Sequence, residues 1–354
     1  MIKKQKVLHV GLGVFGKRWC TEFLASNIAD GTVDVAGIVD IDTDALAYGQ
    51  KMLGLPDNRC YTNAAQAFAE TDADWCSVVV QPRDHEGIID LALARGMDIL
   101  CEKPIADEWE ACLRIADKVR RAGVKMAVTM SHRFDQDKTT LRQLIRSGRL
   151  GRINTISCRF AADMRQYMGW SAAFRHRMQH PLLLEGAVHH LDFMADFADS
   201  PCASVYAQTW KPDWAAYEGD TDAIVTLVFE NGVRAVYEGS VSNAVGLNTF
   251  YKEYVRVEGE FATAILSHRE IELIAREDKW KQEHREGQGE RIPLLERDKW
   301  INHWLIEQFC RWREGGPAMD TEVSRQLGST AILFGAIESQ RTGRAVRLSD
   351  LLHK

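Results

Sequence analysis

Gly11-Leu12-Gly13-Val14-Phe15-Gly16 stands between a short apolar run, residues 7–10, and an amphipathic stretch, residues 15–26. Glycines at this spacing, after a strand and at the opening of a helix, constrain the chain more than any other feature. They let the turn close tightly, let backbone N–H groups approach a pyrophosphate, and place that charge at a helix N-terminus. A turn that merely needs glycine would carry the same residues. The position favours dinucleotide binding, with Gly11, Gly13, Val14, Phe15 and Gly16 as the contact residues. Apolar runs at 33–39, 75–80 and 99–101 then alternate with amphipathic stretches at 44–53, 88–95 and 108–121. Apolar runs without period-two alternation imply strands covered on both faces and joined by right-handed crossovers. The expectation is an α/β, doubly wound domain over residues 1–130.

With 354 residues, a second domain is expected over 131–354. Its texture is different. Period-two alternation at 153–160, 204–209, 222–229, 233–239 and 254–258 predicts an α+β domain with a large, mostly antiparallel open sheet. Glu230-Asn231-Gly232 reads as a hairpin turn in which Asn-Gly accepts the positive φ of a primed turn. Helices at 182–197, 300–313 and 321–341 would cover one face of the sheet. The other face is left for a second subunit, so a homodimer or homotetramer is expected. The charge-rich segment 277–299 reads as a solvated excursion.

Composition restricts the partners. A net charge of −6 argues against nucleic acid and against an anionic membrane surface. No apolar run approaches the roughly 20 residues that a membrane span requires. The first ten residues lack the pattern of a secretory leader. Eight cysteines are scattered without a CxxC pair, as in a reducing cytoplasm. A small molecule is the expected partner.

Asp40 closes the second apolar run, where a carboxylate can accept hydrogen bonds from an adenosine ribose. Neither Ile41 nor Asp42 supplies the cation that a 2′-phosphate needs, so NAD is the expected cofactor; Asp42 is also a candidate helix cap. Gln81-Pro82 and Glu102-Lys103-Pro104 follow the fourth and fifth strands, at the carboxyl ends where such sheets place ligands. Lys103 there could polarise a substrate oxygen and relay its proton. Glu185, His189 and Asp192 fall at i, i+4 and i+7, on one face of a helix, with His190 pointing elsewhere. His189 is the candidate general base, and an orienting carboxylate beside a core histidine is the bland alternative. A metal site from His176, His180, Glu185 and His189 is disfavoured by Pro181, which bars a helical conformation at His180. No metal is expected.

These residues resemble the Gfo/Idh/MocA family of sugar-related oxidoreductases over nearly the whole chain. The resemblance rests on the glycine fingerprint, the Glu102-Lys103-Pro104 triplet, Pro82 with His85, the run from Leu144 to Ile153 (LIRSGRLGRI), and Glu338-Ser339 in a late helix. It implies a Rossmann NAD-binding domain followed by a substrate-binding and oligomerisation domain. Gln81, Pro82, His85, Glu102 and Lys103 would lie about the cofactor, with a cis peptide before Pro104. It also implies a catalytic set of Lys103, His189 and Glu185, the last standing where Asp is commoner. The implied activity is NAD-dependent oxidation of a secondary hydroxyl of a sugar, sugar derivative or glycoside. A redox-neutral glycosidase that oxidises, eliminates and re-reduces would use the same residues. A noncatalytic NAD-sensing protein would lose Lys103 and His189, which argue against it.

Between Lys138 and Arg177 the chain holds nine basic residues and one acid. The first five, Lys138 to Arg152, read as a solvated helix face. Arg165, Arg175 and Arg177 are interleaved with Tyr167, Trp170, Phe174 and His176, a mixture suited to an anionic sugar such as a uronic acid or sulfosugar. Arg165, Trp170, Arg175, Arg177 and Asp192 are the candidate substrate residues. The competing reading pairs these arginines with acids of a neighbouring subunit.

Overall fold

The computed structural model describes residues 3–276 and 285–352. The chain forms two compact units, Met1–Ser131 with Lys299–Leu327, and His132–Asp298 with Gly328–Lys354.

The first unit is built on six parallel strands: β1 (Gln5–Val10), β2 (Val33–Val39), β3 (Cys60–Tyr61), β4 (Trp75–Val78), β5 (Asp98–Cys101) and β6 (Met126–Val128). Their order is β3-β2-β1-β4-β5-β6. The order reverses direction between β1 and β4, and ligands of doubly wound sheets lie at the carboxyl ends flanking such a reversal. Val7, Leu8, Ile38, Trp75, Ile99 and Leu100 are fully buried, as strands covered on both faces require. β3 has only two residues and leaves no periodic signal in the sequence.

A single boundary near residue 130 misses a return of the chain. Helix Ile301–Arg313 buries Leu305, Ile306, Phe309 and Cys310 in the first unit, where the Phe309 ring meets Trp75 edge-on at 5.3 Å. Arg313 pairs with Asp98 at 2.7 Å, and Val128 N donates to Thr321 O at the edge of β6. The apolar stripe of this helix was legible. Which sheet it covers was not, because a stripe reads the same against either.

The second unit carries nine strands: β7 (Ile153–Ala161), β8 (Cys202–Trp210), β9 (Asp222–Phe229), β10 (Arg234–Ser240), β11 (Tyr254–Gly259), β12 (Ala262–Ser267), β13 (Glu270–Ala275), β14 (Glu290–Ile292) and β15 (Val346–Arg347). The order is β14-β13-β12-β11-β7-β10-β9-β8-β15, antiparallel except for β7 with β10. Along β9 and β10 buried and exposed residues alternate, so one face packs under helices and the other is open. Ala207 N donates to Ser339 Oγ at 2.9 Å, which fixes the late helix Val323–Thr342 to the covered face.

Two expectations change here. Of residues 230–232 only Gly232 has positive φ (93°); Gly232 N donates to Phe229 O, and Phe229 N to Val233 O. This is an ordinary turn closed by a glycine bulge, not a primed turn. Of the segment 277–299, residues 277–284 lie outside the described residues. Glu290–Ile292 is largely exposed, as expected of a solvated segment, but pairs with β13 as an edge strand. Among the described residues no helix is long and apolar enough to cross a membrane, and all eight cysteines are free thiols.

Candidate active site

In the first unit the glycine loop is shaped by close approach. Gly11 has φ of 100°, and a Cβ there would lie 2.3 Å from Val79 O. A Cβ at Gly16 would lie 2.2 Å from Gly11 O. At Gly13 a Cβ would meet no protein atom within 4 Å, so packing does not demand glycine there. Gly13 is the N-cap of helix Val14–Arg18, and the bare backbone there would let a ligand phosphate approach the helix start. Val14 is exposed, and Phe15 packs on Phe23 at 6.0 Å. Asp40 holds the loop as well as facing it: Oδ2 accepts from Leu12 N (2.5 Å) and Oδ1 from Asp42 N (2.8 Å). Asp42 caps the next helix by accepting from Asp44 N and Ala45 N. Backbone donors at a helix start and a carboxylate at the end of β2 fit a dinucleotide. Beneath them His9, missed in the sequence, lies 2.7 Å by Nδ1 from Ser77 Oγ and stacks on Trp19; burial pushes its pKa down to about 3.

The loops after β4 and β5 are braced from inside. Pro82 is buried at the start of the turn Pro82–Asp84, next to half-buried Gln81. His85 is fully buried, with Nδ1 3.1 Å from Ile105 O and Nε2 3.2 Å from Val80 O. Glu102 is buried, accepting from Trp19 Nε1 at 2.9 Å and Asn302 Nδ2 at 3.2 Å. Burial raises its pKa, against the pull of the Lys103 charge. His85 and Glu102, expected beside the cofactor, are thus braced by partners within the first unit. Their side chains tie the two loops together, and Lys103, preceding a cis bond to Pro104, is what those loops carry.

The second unit holds the other cluster. Residues Leu182–Ala187 form a π turn before helix Val188–Ala198, so the simple i, i+4 register from Glu185 to His189 is altered. Glu185 Oε2 pairs with Arg175 Nε at 2.8 Å, and that guanidinium lies over the Trp170 and Phe174 rings and donates to Trp170 O. Arg175 thus has a carboxylate partner within its own chain. Asp192, expected as a substrate contact, is buried and gripped by Arg133 (2.9 and 2.5 Å) and Ser329 Oγ (2.8 Å). Arg165 pairs with Asp163 at 3.2 Å, Trp170 is buried, and Arg177 is exposed. His176 accepts from Met168 N at Nε2, and its Nδ1 lies 2.8 Å from Ala216 O, so neither nitrogen is placed for a metal.

Sequence reasoning missed the group around His189. The His132 ring stacks on it with centroids 4.1 Å apart and planes 11° apart. Glu253 Oε1 lies 3.4 Å from both His132 Nδ1 and His190 Nε2, while Oε2 lies 2.6 Å from Lys138 Nζ. Lys138 is not on a solvated face: it is fully buried, 3.3 Å from Asp137 Oδ2. Burial alone would raise the Glu253 pKa, but Lys138, His132 and His190 hold it well below the usual range. Burial lowers His190 to about 4 and raises Asp137 to about 6. Of the other basic residues, Arg142 and Arg146 share Asp196, Arg149 pairs with Glu290, and Arg152 with Glu260.

Residues 5–130 match the oxidoreductase family with an NAD-binding Rossmann fold, and residues 139–264 match the GFO/IDH/MocA C-terminal domain. The chain belongs to the Gfo/Idh/MocA family. Its first unit is an NAD-binding Rossmann domain, and NAD is the cofactor its residues fit. It is 58% identical to the Sinorhizobium fredii protein y4oX, over 98% of this chain and 96% of that one. It is 23% identical to D-apiose dehydrogenase of Paraburkholderia graminis, over 99% and 91% of the two chains. In fold it is similar to an oxidoreductase of Agrobacterium radiobacter crystallised with NAD+, L-tartaric acid and magnesium, with a TM-score of 0.83 at 20% identity over 98% and 99% of the chains.

Proposed function

We infer that this family member is an NAD-dependent dehydrogenase that oxidises a secondary hydroxyl of a sugar, cyclic polyol or sugar derivative. The observation that supports the reading is that one chain carries a complete glycine loop with Lys103 after β5 in its first unit and His189 on a buried helix in its second. His189 takes the hydroxyl proton. The ammonium of Lys103 stabilises the developing alkoxide. Glu185, steadied by Arg175, accepts hydrogen bonds from neighbouring hydroxyls. NAD, which the glycine loop and Asp40 would hold, would supply the hydride acceptor. Of the three arginines that suggested an anionic substrate, Arg165 and Arg175 already have carboxylate partners. A uronic acid or sulfosugar is therefore one arm of the test rather than its premise. The test is a screen of neutral sugars, cyclic polyols, uronic acids, sulfosugars and glycosides that follows NADH and product together. Stoichiometric NADH with a ketone product supports the dehydrogenase. Release of aglycone without NADH would replace it with the redox-neutral glycosidase.

Asp40→Ala should weaken NAD about tenfold more than NADP, since hydrogen bonds from the 2′-hydroxyl to a charged acceptor are lost only with NAD, whereas the loss of the carboxylate's hold on Leu12 N and Asp42 N falls on both nucleotides. Isothermal titration with both nucleotides checks this. A native preference for NADP would overturn the reading of β2. We also propose a homo-oligomer in a reducing cytoplasm. On the open sheet face Trp210, Ile224 and Val236 are 44%, 42% and 41% exposed, apolar surface that a second copy would cover. Sedimentation at micromolar concentration should give a dimer or tetramer, and a monomer would contradict it.

A further inference from the structure

We propose that His132 is the positioning residue for His189, setting the plane of the ring that the reading above makes the base. The argument rests on that reading, and on how thoroughly His132 is itself fixed. Its ring is buried, with Tyr251 tilted against it at 4.7 Å, and Phe250 and His190 edge-on at 5.5 and 6.0 Å. Its Nδ1 faces Glu253 Oε1. Glu253 is in turn immobilised: Oε1 accepts from Tyr251 N at 3.0 Å, and Oε2 is held by Lys138. Lys138 is anchored by Asp137, and His190 Nδ1 lies 3.1 Å from Tyr237 Oη.

A buried ammonium with buried carboxylates is no cheaper than a hydrocarbon core of the same volume, and replacing such groups by apolar side chains is often neutral or stabilising. What this network delivers is a flat, rigid face 4.1 Å from the His189 ring. Rotation of His189 about its outer side-chain torsion would drive ring edges into that face. The ring nitrogen that meets the substrate hydroxyl therefore keeps one direction. Proton transfer depends steeply on such placement, and about 1 Å of misplacement can cost about 100-fold in rate. His132 contributes no proton in this scheme, because stacked rings present faces, not N–H groups, to one another.

The sequence hid this because His132 lies in the Ser131–Phe134 turn after β6, far along the chain from His189. His132, His190 and Glu253 also lie close enough together to ligate a cation, with their ligand atoms within 4.8 Å of one another. The ammonium on Glu253 already supplies the positive charge that such a trio would otherwise seek.

The test compares His132→Ala, which removes the face, with His132→Phe, which keeps it. With a substrate found in the screen, His132→Ala should lose about 100-fold in kcat, with KM and NAD affinity within about threefold of native. His132→Phe should recover kcat to within about fivefold of native. A readout independent of substrate is the ring-15N spectrum of histidine-labelled protein with NAD, His189 being assigned by its loss in His189→Ala. The His189 resonances should be sharp in native protein and in His132→Phe, and broadened in His132→Ala. Native kcat in His132→Ala, an equal loss in both variants, or unchanged His189 resonances in His132→Ala would overturn the proposal while leaving the base assignment standing. Stoichiometric zinc in native protein that disappears in His132→Ala would also overturn it, making His132 a ligand. Activity retained in His189→Ala would instead remove the base assignment, and the proposal with it.

Discussion

Replacing Lys103 with Met, or His189 with Ala, removes turnover while NAD binds as before. General acid–base groups in hydride-transfer sites contribute about 100-fold to 10,000-fold, and a cation aimed at a developing alkoxide about 100-fold to 1,000-fold. Each single variant should therefore fall by at least about 100-fold in kcat/KM, and the pair by less than the product if the proposed roles on one proton and one oxygen hold. NAD affinity should stay within about threefold, since the glycine loop and Asp40 are built from β1, β2 and the helix between them. Fluorescence titration with NAD and initial rates on the same preparations separate the two quantities. His189→Ala gives the sharper result. A rate near native would move the base elsewhere, whereas a loss of NAD binding would make the residue structural.

The sequence made the nucleotide half of this site legible because its chemistry is local. Gly11, Gly13, Gly16 and Asp40 belong to one strand–helix–strand unit, and each needs only its neighbours to be understood. The position of Lys103, two residues after the end of β5, was legible for the same reason. The chemistry around His189 was only half legible. A helix face showed Glu185, His189 and Asp192, but not that Arg175 and Arg133 had claimed the two carboxylates, nor that a π turn shifts the register. Lys138 was misread for a physical reason. Its position on helix Gln136–Arg146 has the charge pattern of a solvated face, and only the arrival of Glu253 from just before β11 makes burial tolerable. Contacts of that kind connect distant parts of the chain and leave no periodic trace. The return of helix Ile301–Arg313 to the first unit was hidden in the same way.

The largest effect on stability should come from Lys138→Met. Removing the ammonium leaves Glu253 and Asp137 buried and facing each other's charge, and breaking a buried pair in this way costs about 3–5 kcal/mol. Glu253 is held well below its ordinary pKa in the native protein, so its contribution is present above the unfolded value near 4.5 and is lost as pH falls through the lower folded value. Asp137, raised to about 6, acts in the opposite sense: its charge costs stability above that pH, and the cost is relieved as pH falls toward its unfolded value. Without Lys138 both carboxyls should take up protons more readily. The deficit of the variant is then largest at pH 7 and above, and narrows as the medium is acidified toward pH 5, where protonation caps the penalty. Adding Glu253→Gln to Lys138→Met should recover part of the loss, because a neutral amide can be buried beside His132 and His190 without a counter-charge. Urea unfolding followed by tryptophan fluorescence at pH 5 and pH 7, on the two single variants and the double, gives the coupling directly. A Lys138→Met protein within about 1 kcal/mol of native at pH 7 would mean that the pairing is not what makes the buried charges tolerable. A deficit that grew on acidification would overturn the assignment of the pH dependence to the carboxylates; the histidines would not rescue it, because His190 is lowered by burial in both proteins and by the Lys138 charge only in the native one, so its protonation on unfolding would narrow the gap.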